Sequence, residues 1–358
     1  MRFDYHTSYR QGMALLKSPL EWGLYGALLL ALILLPFWAS NYWLGEIAYV
    51  FILCIASLGL MLLIGFTGQI SLGHAAFVAI GAYAHVWLMR QGVPMAASIP
   101  LAALITAFAG FIIGLPAIRV SGLYLAMVTL AFAIIVEQVI GLWRPVTGGF
   151  MGMPVPRAEL FGLALHRPAP FYWFCLAVLV VVLLGLLNLM RGPIGRAFVG
   201  VRDSEAAALG LGINVNAVKT GAFALSAGVT GLAGALMAHH LGYLTPDGFT
   251  LLLSLELVLM VVIGGLGSLR GAILGAMLIA ALPVAISRLR TLLPDEIARQ
   301  FGLELFVFGL VLALFVLFEP RGLNGRWLKI RALLENFPLY RRDTFRRQKT
   351  YMKSERYK

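Results

Sequence analysis

Ile47-Ala-Tyr-Val-Phe-Ile-Leu-Cys-Ile-Ala-Ser-Leu-Gly-Leu-Met-Leu-Leu-Ile64 contains 18 residues and no charge. At a helical rise of about 1.5 Å per residue it is roughly 27 Å long, close to the roughly 30 Å of a bilayer's hydrocarbon core. Nine more runs of this kind fill the chain: Trp22–Ala39, Leu72–Met89, Ala96–Leu115, Leu123–Leu142, Phe171–Leu189, Ala217–His240, Leu251–Gly264, Ala272–Ser287 and Phe301–Phe318. None alternates apolar with polar residues as a barrel strand would. The pattern predicts an all-α polytopic membrane protein with about ten transmembrane helices. The eighth and ninth runs are short and bounded by glycine, as tilted, broken or re-entrant segments are.

Composition agrees with this class. Of 358 residues 60% are hydrophobic and 12% charged, far from the balance of a soluble domain. Three regions follow: a polar lead over 1–21, a membrane domain over 22–318 that includes a cytoplasmic loop at 191–216, and a basic tail over 319–358. The lead precedes Trp22–Ala39 and no small-residue cleavage site closes that run, so the first span is expected to stay. Cys54 and Cys175 fall within apolar runs and read as small buried hydrophobes.

The net charge is +12, and 12 of the Lys and Arg residues follow Phe318. A basic tail directly after a last span fits a cytoplasmic surface bearing anionic lipid, and no nucleic acid is expected as a partner. With ten crossings and both termini inside, the inner segments hold 21 Lys and Arg and the outer segments 7, which predicts cytoplasmic termini. The longest outer connection, Trp143–Pro170, contains Thr147-Gly-Gly-Phe-Met-Gly-Met-Pro-Val-Pro156. It is read either as a cap or docking surface or as a plain connector.

Between the second and third runs stands Gly65-Phe-Thr-Gly-Gln-Ile-Ser-Leu-Gly-His-Ala-Ala76. Thr67, Gln69, Ser71 and His74 are costly at membrane depth unless paired or wetted, and the glycines permit a tight turn. Two readings stand side by side, a pathway-lining element and a short inner loop with Ser71 capping the next helix. Thr129, Thr147 and Ser226 are further candidate lining residues. Ile64-Gly-Phe-Thr-Gly-Gln-Ile-Ser-Leu-Gly73 echoes Ile263-Gly-Gly-Leu-Gly-Ser-Leu-Arg-Gly271, each at the inner end of a run.

His74 has no acid or histidine at helical spacing and reads as a hydrogen-bonded helix-start residue. His239 and His240 are adjacent, hence on different helix faces, and are expected at the interface. Glu137 and Glu256 read as shallow hydrogen-bonding acids or as contacts for a substrate ammonium. Gly231-Leu-Ala-Gly234 is close-packing chemistry. The chain has no phosphate-binding Gly-x-x-x-x-Gly-Lys-Ser/Thr loop, no His-Glu-x-x-His and no Gly-x-Ser-x-Gly. Neither enzymatic activity nor a metal or cofactor held by this chain is expected.

The cytoplasmic loop Arg191-Gly-Pro-Ile-Gly-Arg-Ala-Phe-Val-Gly-Val-Arg-Asp-Ser-Glu-Ala-Ala-Ala-Leu-Gly-Leu-Gly212 is polar and rich in helix formers. Ala206–Ala208 favour helix, Asp203 and Ser204 can cap its start, and Gly212 can end it, which predicts a helix across Arg202–Gly212.

Several segments together resemble a known family. They are Gly68–Tyr83, Arg119–Leu130, Thr147–Gly149, Gly195–Glu205, Phe223–Leu236, Val261–Leu269 and Pro320–Gly325, in the family's order over about residues 45–328. They resemble the LivM-type permease subunits of branched-chain amino acid ABC importers. The resemblance implies a type II importer fold and partners comprising a second related permease, two ATPase subunits that bind ATP and Mg, and a periplasmic substrate-binding protein. It also implies an inner-membrane location. The family's cytoplasmic Glu-Ala-Ala-x-x-x-Gly motif maps onto Ala207, Ala208 and Gly212, but Ala206 stands where the family has glutamate and Glu205 lies one residue earlier. The implied ATPase-coupling residues are Gly195, Arg196, Arg202, Asp203, Glu205, Ala207, Ala208 and Gly212. The expected cargo is leucine, isoleucine or valine. Urea, short amides or aromatic acids are the alternative on the same fold, and an ion-coupled secondary transporter is the rival mechanism.

Overall fold

The computed structural model describes residues 19–160, 163–290 and 322–336, with isolated positions between 309 and 317. Its helices are α1 (Pro19–Leu34), α2 (Asn41–Met61), α3 (His74–Arg90), α4 (Met95–Gly114), α5 (Leu123–Leu142), α6 (Pro168–Arg191), α7 (Pro193–Asp203), α8 (Glu205–Gly210), α9 (Val215–Leu241), α10 (Leu251–Gly264), α11 (Leu269–Arg290) and α12 (Gly322–Asn336). A wide π turn over Leu62–Phe66 prolongs α2.

Among the described residues, seven helices are long and apolar enough to cross a membrane: Asn41–Phe66, Met95–Gly114, Leu123–Leu142, Pro168–Arg191, Val215–Leu241, Pro246–Gly264 and Leu269–Arg288. That differs from the ten expected. The first run yields a shorter apolar helix, Gly23–Phe37, because Pro36 and the turn at Leu35–Phe37 end it. The third run starts only at His74, after the glycine-rich break, and is 17 residues long. The expected tenth run, Phe301–Phe318, lies almost wholly outside the described residues, as do most of the polar lead and the end of the basic tail.

Helix α9 is the hub and packs against α2, α3 and α4, while α10 pairs with α11. The hub approaches so closely because its small residues leave room. A Cβ on Gly234 would fall on the carbonyl of Val78, one on Gly231 on the side chain of Thr106, and one on Gly81 on the backbone of Gly231. No water-driven collapse holds apolar helices together in lipid, so backbone-to-backbone packing of this kind supplies much of the association. Outward faces remain apolar, as at Leu104 and Phe108 of α4 and Leu123, Met127 and Leu142 of α5.

The 191–216 segment is folded throughout, not a loop. Pro193 occupies the first turn of α7, where its missing N–H costs nothing. Ser204 is extended, at φ −163° and ψ 113°, and breaks the continuous helix expected across Arg202–Gly212 into α7 and α8. Its hydroxyl accepts from the Ala207 amide at 3.2 Å and caps α8. Asn214 caps α9 likewise, accepting from the Ala217 amide at 3.1 Å. Gly212, at φ +78°, makes the left-handed turn between them.

At the other end of the bundle the Trp143–Pro170 connection is also structured. Its strand β1 (Met153–Pro154) pairs antiparallel with β4 (Tyr243–Leu244), which directly follows α9. Strands β2 (Glu159–Leu160) and β3 (Leu163–Ala164) form a small hairpin. Tyr243 donates to the Met151 carbonyl at 2.7 Å, and Arg90 donates to that of Pro154 at 3.3 Å. The Gly/Pro segment is thus fastened to the ends of α3 and α9.

Candidate functional site

The break between α2 and α3 must satisfy the backbone groups that a continuous helix would have paired. Side chains from distant helices do this. The Leu72 amide donates to Thr129 Oγ1 at 3.0 Å, and the Ala75 amide donates to Ser254 Oγ at 2.9 Å. Within the break, the Gln69 amide donates to the Leu63 carbonyl at 3.0 Å and the Thr67 hydroxyl donates to the same oxygen at 2.7 Å. Gln69 Nε2 donates to Thr67 Oγ1 at 3.0 Å and to the Lys219 carbonyl at 3.4 Å.

His74 sits at the centre, fully buried at the start of α3. Ser226 donates its hydroxyl proton to the Gly59 carbonyl at 2.6 Å, so it accepts from His74 Nε2 at 2.9 Å. That places the ring proton on Nε2 and leaves Nδ1 to accept from Ser71 Oγ at 3.0 Å. Ser71 in turn accepts from the Gly73 amide at 3.4 Å. The result is a directed chain of donors from the break, through a neutral imidazole, to Gly59 near the end of α2. The helix that Ser71 was expected to cap has Gly73 in the cap position instead, and Ser71 serves the histidine.

The structure therefore brings Thr67, Gln69, Ser71, His74, Thr129 and Ser226 into one cluster, each at most 4% exposed. Their polar atoms turn onto one another and onto backbone, except Gln69 Oε1, which is buried without a partner. Thr147 stands apart. It lies in the Trp143–Pro170 connection, where its hydroxyl bonds the carbonyls of Ile140 and Trp143 and the Gly149 amide.

The α7–α8 elbow adjoins the break. Val201, Ala208 and Val215 form a small core of their own, joined by Ile213 and Val218, so α7, α8 and the start of α9 are held together. Lys219 Nζ lies 2.6 Å from Glu205 Oε1, tying α8 to α9. Gly195 lets α7 turn back on α6, since a Cβ there would strike the Met190 backbone. Ala207, Leu209 and Leu211 point outward, the two leucines 61% and 81% exposed. Arg196 lies on the exposed face of α7, and Asp203 pairs with Arg202 at 2.9 Å. Arg202 Nη1 donates to the Gly65 carbonyl at 3.0 Å.

Some participants were not foreseen. Lys219 was a lone cation at the inner end of an apolar run, and that was the one available signal. Ser254 and Ser57, which donates to the Ala272 carbonyl at 3.2 Å, gave none. A second network near the other end joins α4, α3 and α9: Ser98 Oγ lies 2.9 Å from His85 Nδ1, and His85 Nε2 lies 2.7 Å from His239 Nε2. His239 thus makes an interhelical contact, while His240 faces elsewhere and stacks on Tyr49 at 5.0 Å. No group of three or more His, Cys, Asp or Glu able to hold a metal occurs among the described residues.

Comparison with known proteins bears on what this arrangement serves. The protein family described as "Branched-chain amino acid transport system / permease component" matches residues 43–318. The chain is 33% identical over 323 residues to the high-affinity branched-chain amino acid transport system permease protein LivM of Escherichia coli (strain K12), covering 83% of this chain and 73% of that one. It is 26% identical to the probable branched-chain amino acid transport permease protein LivH of Methanocaldococcus jannaschii, over 81% of this chain and 94% of the relative. It is also 27% identical to the Autoinducer 2 import system permease protein LsrC of Salmonella typhimurium (strain LT2), over 66% of this chain and 69% of that one. No solved structure matches the chain.

Proposed function

The chain belongs to the family of branched-chain amino acid transport system permease components, and from that premise we propose that it is the membrane-spanning half of an ATP-driven importer for leucine, isoleucine and valine. One observation carries the mechanism: α8 stands out from the bundle with Ala207, Leu209 and Leu211 exposed, while its other face is anchored through Ala208 and Glu205. A helix that is apolar outward and tethered inward is what a soluble motor can push. The ATP and Mg belong to two ATPase subunits docked there. A second related permease completes the pathway, and a periplasmic binding protein delivers the cargo above. Closure of the ATPases displaces the elbow and shifts the spans between two states.

The finer assignments belong to the same proposal. The fold is the type II importer arrangement with ten crossings and both termini on the cytoplasmic side of the inner membrane, and the basic tail lies on anionic lipid. The division into lead, membrane domain and tail follows from it. Thr67, Gln69, Ser71, His74, Thr129 and Ser226 form the adjustable break beside the pathway. Thr147 belongs to the outer cap.

The test is purification of the tagged chain with its co-expressed neighbours, followed by leucine uptake into proteoliposomes. Recovery of two ATPase subunits and a second permease, lost with Ala207→Glu, is the expected result. A homo-oligomer without a nucleotide-binding partner overturns the proposal in favour of a secondary transporter. Relatives named for other cargo exist, such as the one for Autoinducer 2 import, so the alternative cargoes on the same fold, urea, short amides or aromatic acids, are tested directly. Competition of leucine uptake by isoleucine and valine, but not by urea, short amides or aromatic acids, decides between them.

A further inference from the structure

Arg202 stands in the last turn of α7, and although its side chain is 35% exposed, one end of its guanidinium reaches the bundle. Nη1 donates to the Gly65 carbonyl at 3.0 Å, 137 residues away in sequence. Nε and Nη2 meet Asp203 Oδ1 at 3.0 and 2.9 Å, which orients the planar fork. The walls of its slot are glycine. A Cβ on Gly68 would lie 3.1 Å from Arg202 Cγ, and one on Gly267 would lie 3.1 Å from Nη1. Gly65 and Gly267 also abut, since a Cβ on Gly65 would lie 2.8 Å from the Gly267 amide nitrogen. Both Gly68 and Gly267 take positive φ, +70° and +77°.

These glycines belong to the two segments whose sequences echo each other, Ile64–Gly73 and Ile263–Gly271. In the fold they face one another. One is the break between α2 and α3, the other the turn between α10 and α11, and Arg202 reaches to where they meet. The Gly65 carbonyl belongs to the last turn of the α2 segment, where carbonyls lose their helical partners and carry partial negative charge. A cation there is favoured. An arginine, with donors to spare for Asp203, holds the carbonyl and the elbow together.

We propose that Arg202 is the positioning residue that transmits movement of the α7–α8 elbow to the α2–α3 break and the α10–α11 turn. This rests on the reading of the chain as a motor-driven permease half. The Val201, Ala208 and Val215 core makes α8 and the end of α7 move as one, so a push on α8 reaches the guanidinium with little slack. Displacing Gly65 loads the break at the one place where α2 has no continuous helix to resist it. Asp203 is the surface brace. Arg202 acts inward on the pathway helices and contributes nothing to ATPase docking.

The test uses the whole complex in proteoliposomes, with leucine as the probe and leucine moved per ATP hydrolysed as the readout. Arg202→Met keeps the apolar stem against Gly68 and removes every donor. Its complex is expected to retain both ATPase subunits while the leucine-to-ATP ratio falls at least fivefold. Arg202→Lys restores one donor and is expected at an intermediate ratio. It gives the reading alone if the Arg202→Met chain itself is not recovered as folded, monodisperse protein, and a wild-type ratio would then overturn the proposal. An unchanged ratio in Arg202→Met also overturns it. So does loss of ATPase subunits from that variant, which would place Arg202 in the docking interface. Wild-type chain recovered without ATPases would instead sink the permease-half reading itself.

Discussion

Lys219 and Glu205 join α8 to the hub helix α9 through a contact of 2.6 Å, with the lysine side chain 7% exposed and the glutamate 49%. The pair is asymmetric, and the two partners are not equivalent to lose. Removing Glu205 strands a buried ammonium, whereas removing Lys219 leaves a carboxylate that water reaches. Glu205→Ala is therefore expected to destabilise the complex more than Lys219→Met, by about 1–3 kcal/mol. Thermal midpoints of the purified complexes check this, and equal midpoints for the two variants contradict it. The double variant is expected to recover most of the loss.

The His74 relay predicts strong coupling. Ser226→Ala removes an acceptor from His74 Nε2 and a donor from the Gly59 carbonyl, and His74→Ala removes the ring that both serines serve. Each single change is expected to cost about 1–3 kcal/mol through stranded buried groups. The double change should cost less than their sum, by about 0.5–3 kcal/mol. Denaturation of the four proteins in one detergent measures the cycle, and simple additivity would mean that the relay is not a unit.

Glycines at the hub differ sharply in what they tolerate. Gly81→Ala places a methyl on the Gly231 backbone, and no side chain there can rotate away. Monodisperse protein is expected to fall severely, with a cost of about 1–3 kcal/mol or more. Gly221→Ala, on α9 itself, meets nothing within 4 Å and is expected to be neutral or to gain up to about 1 kcal/mol from helix propensity. Yield and elution profile of the two variants test the contrast.

The Trp143–Pro170 connection offers a further check. Gly152 takes φ +74° and its position faces the Leu244 carbonyl, where a Cβ would collide. Gly152→Ala is expected to unfasten β1 from β4 and to make the 143–167 segment several-fold more sensitive to limited proteolysis. Fragment mapping by mass spectrometry reads the site of cutting. A wild-type cleavage rate would show that Tyr243 and Arg90 hold the segment without the strand pair.

The class of the protein, its apolar helices and its family resemblance were legible in the chain because they are written in local terms. Eighteen uncharged residues at Ile47–Ile64 span a bilayer whatever surrounds them. Ser204 and Gly212 set helix ends through φ preferences and short-range caps, although the stop at Ser204 was read as a start only, and Pro193 and Asn214 act in the same local way without having been read. The glycines of Gly231-Leu-Ala-Gly234 announced close packing before their neighbours were known. Run length misled where a turn lay inside an apolar stretch, at Leu35–Phe37 and before His74, since lipid-compatible side chains do not reveal a broken backbone.

The tertiary structure alone decided which polar groups meet. His74 and Ser226 are 152 residues apart, and Ala75 and Ser254 are 179 apart. Nothing near either serine in sequence marks it as a partner, for a hydroxyl in an apolar run has the same local signature whether it bonds its own helix or another. The same holds for Arg202, whose neighbours placed it in a docking loop and whose fold turned it onto Gly65. Propensity and hydropathy act over a few residues and so can be read along the chain. Hydrogen bonds at membrane depth are set by which helix ends are brought together, and packing of the whole bundle settles that.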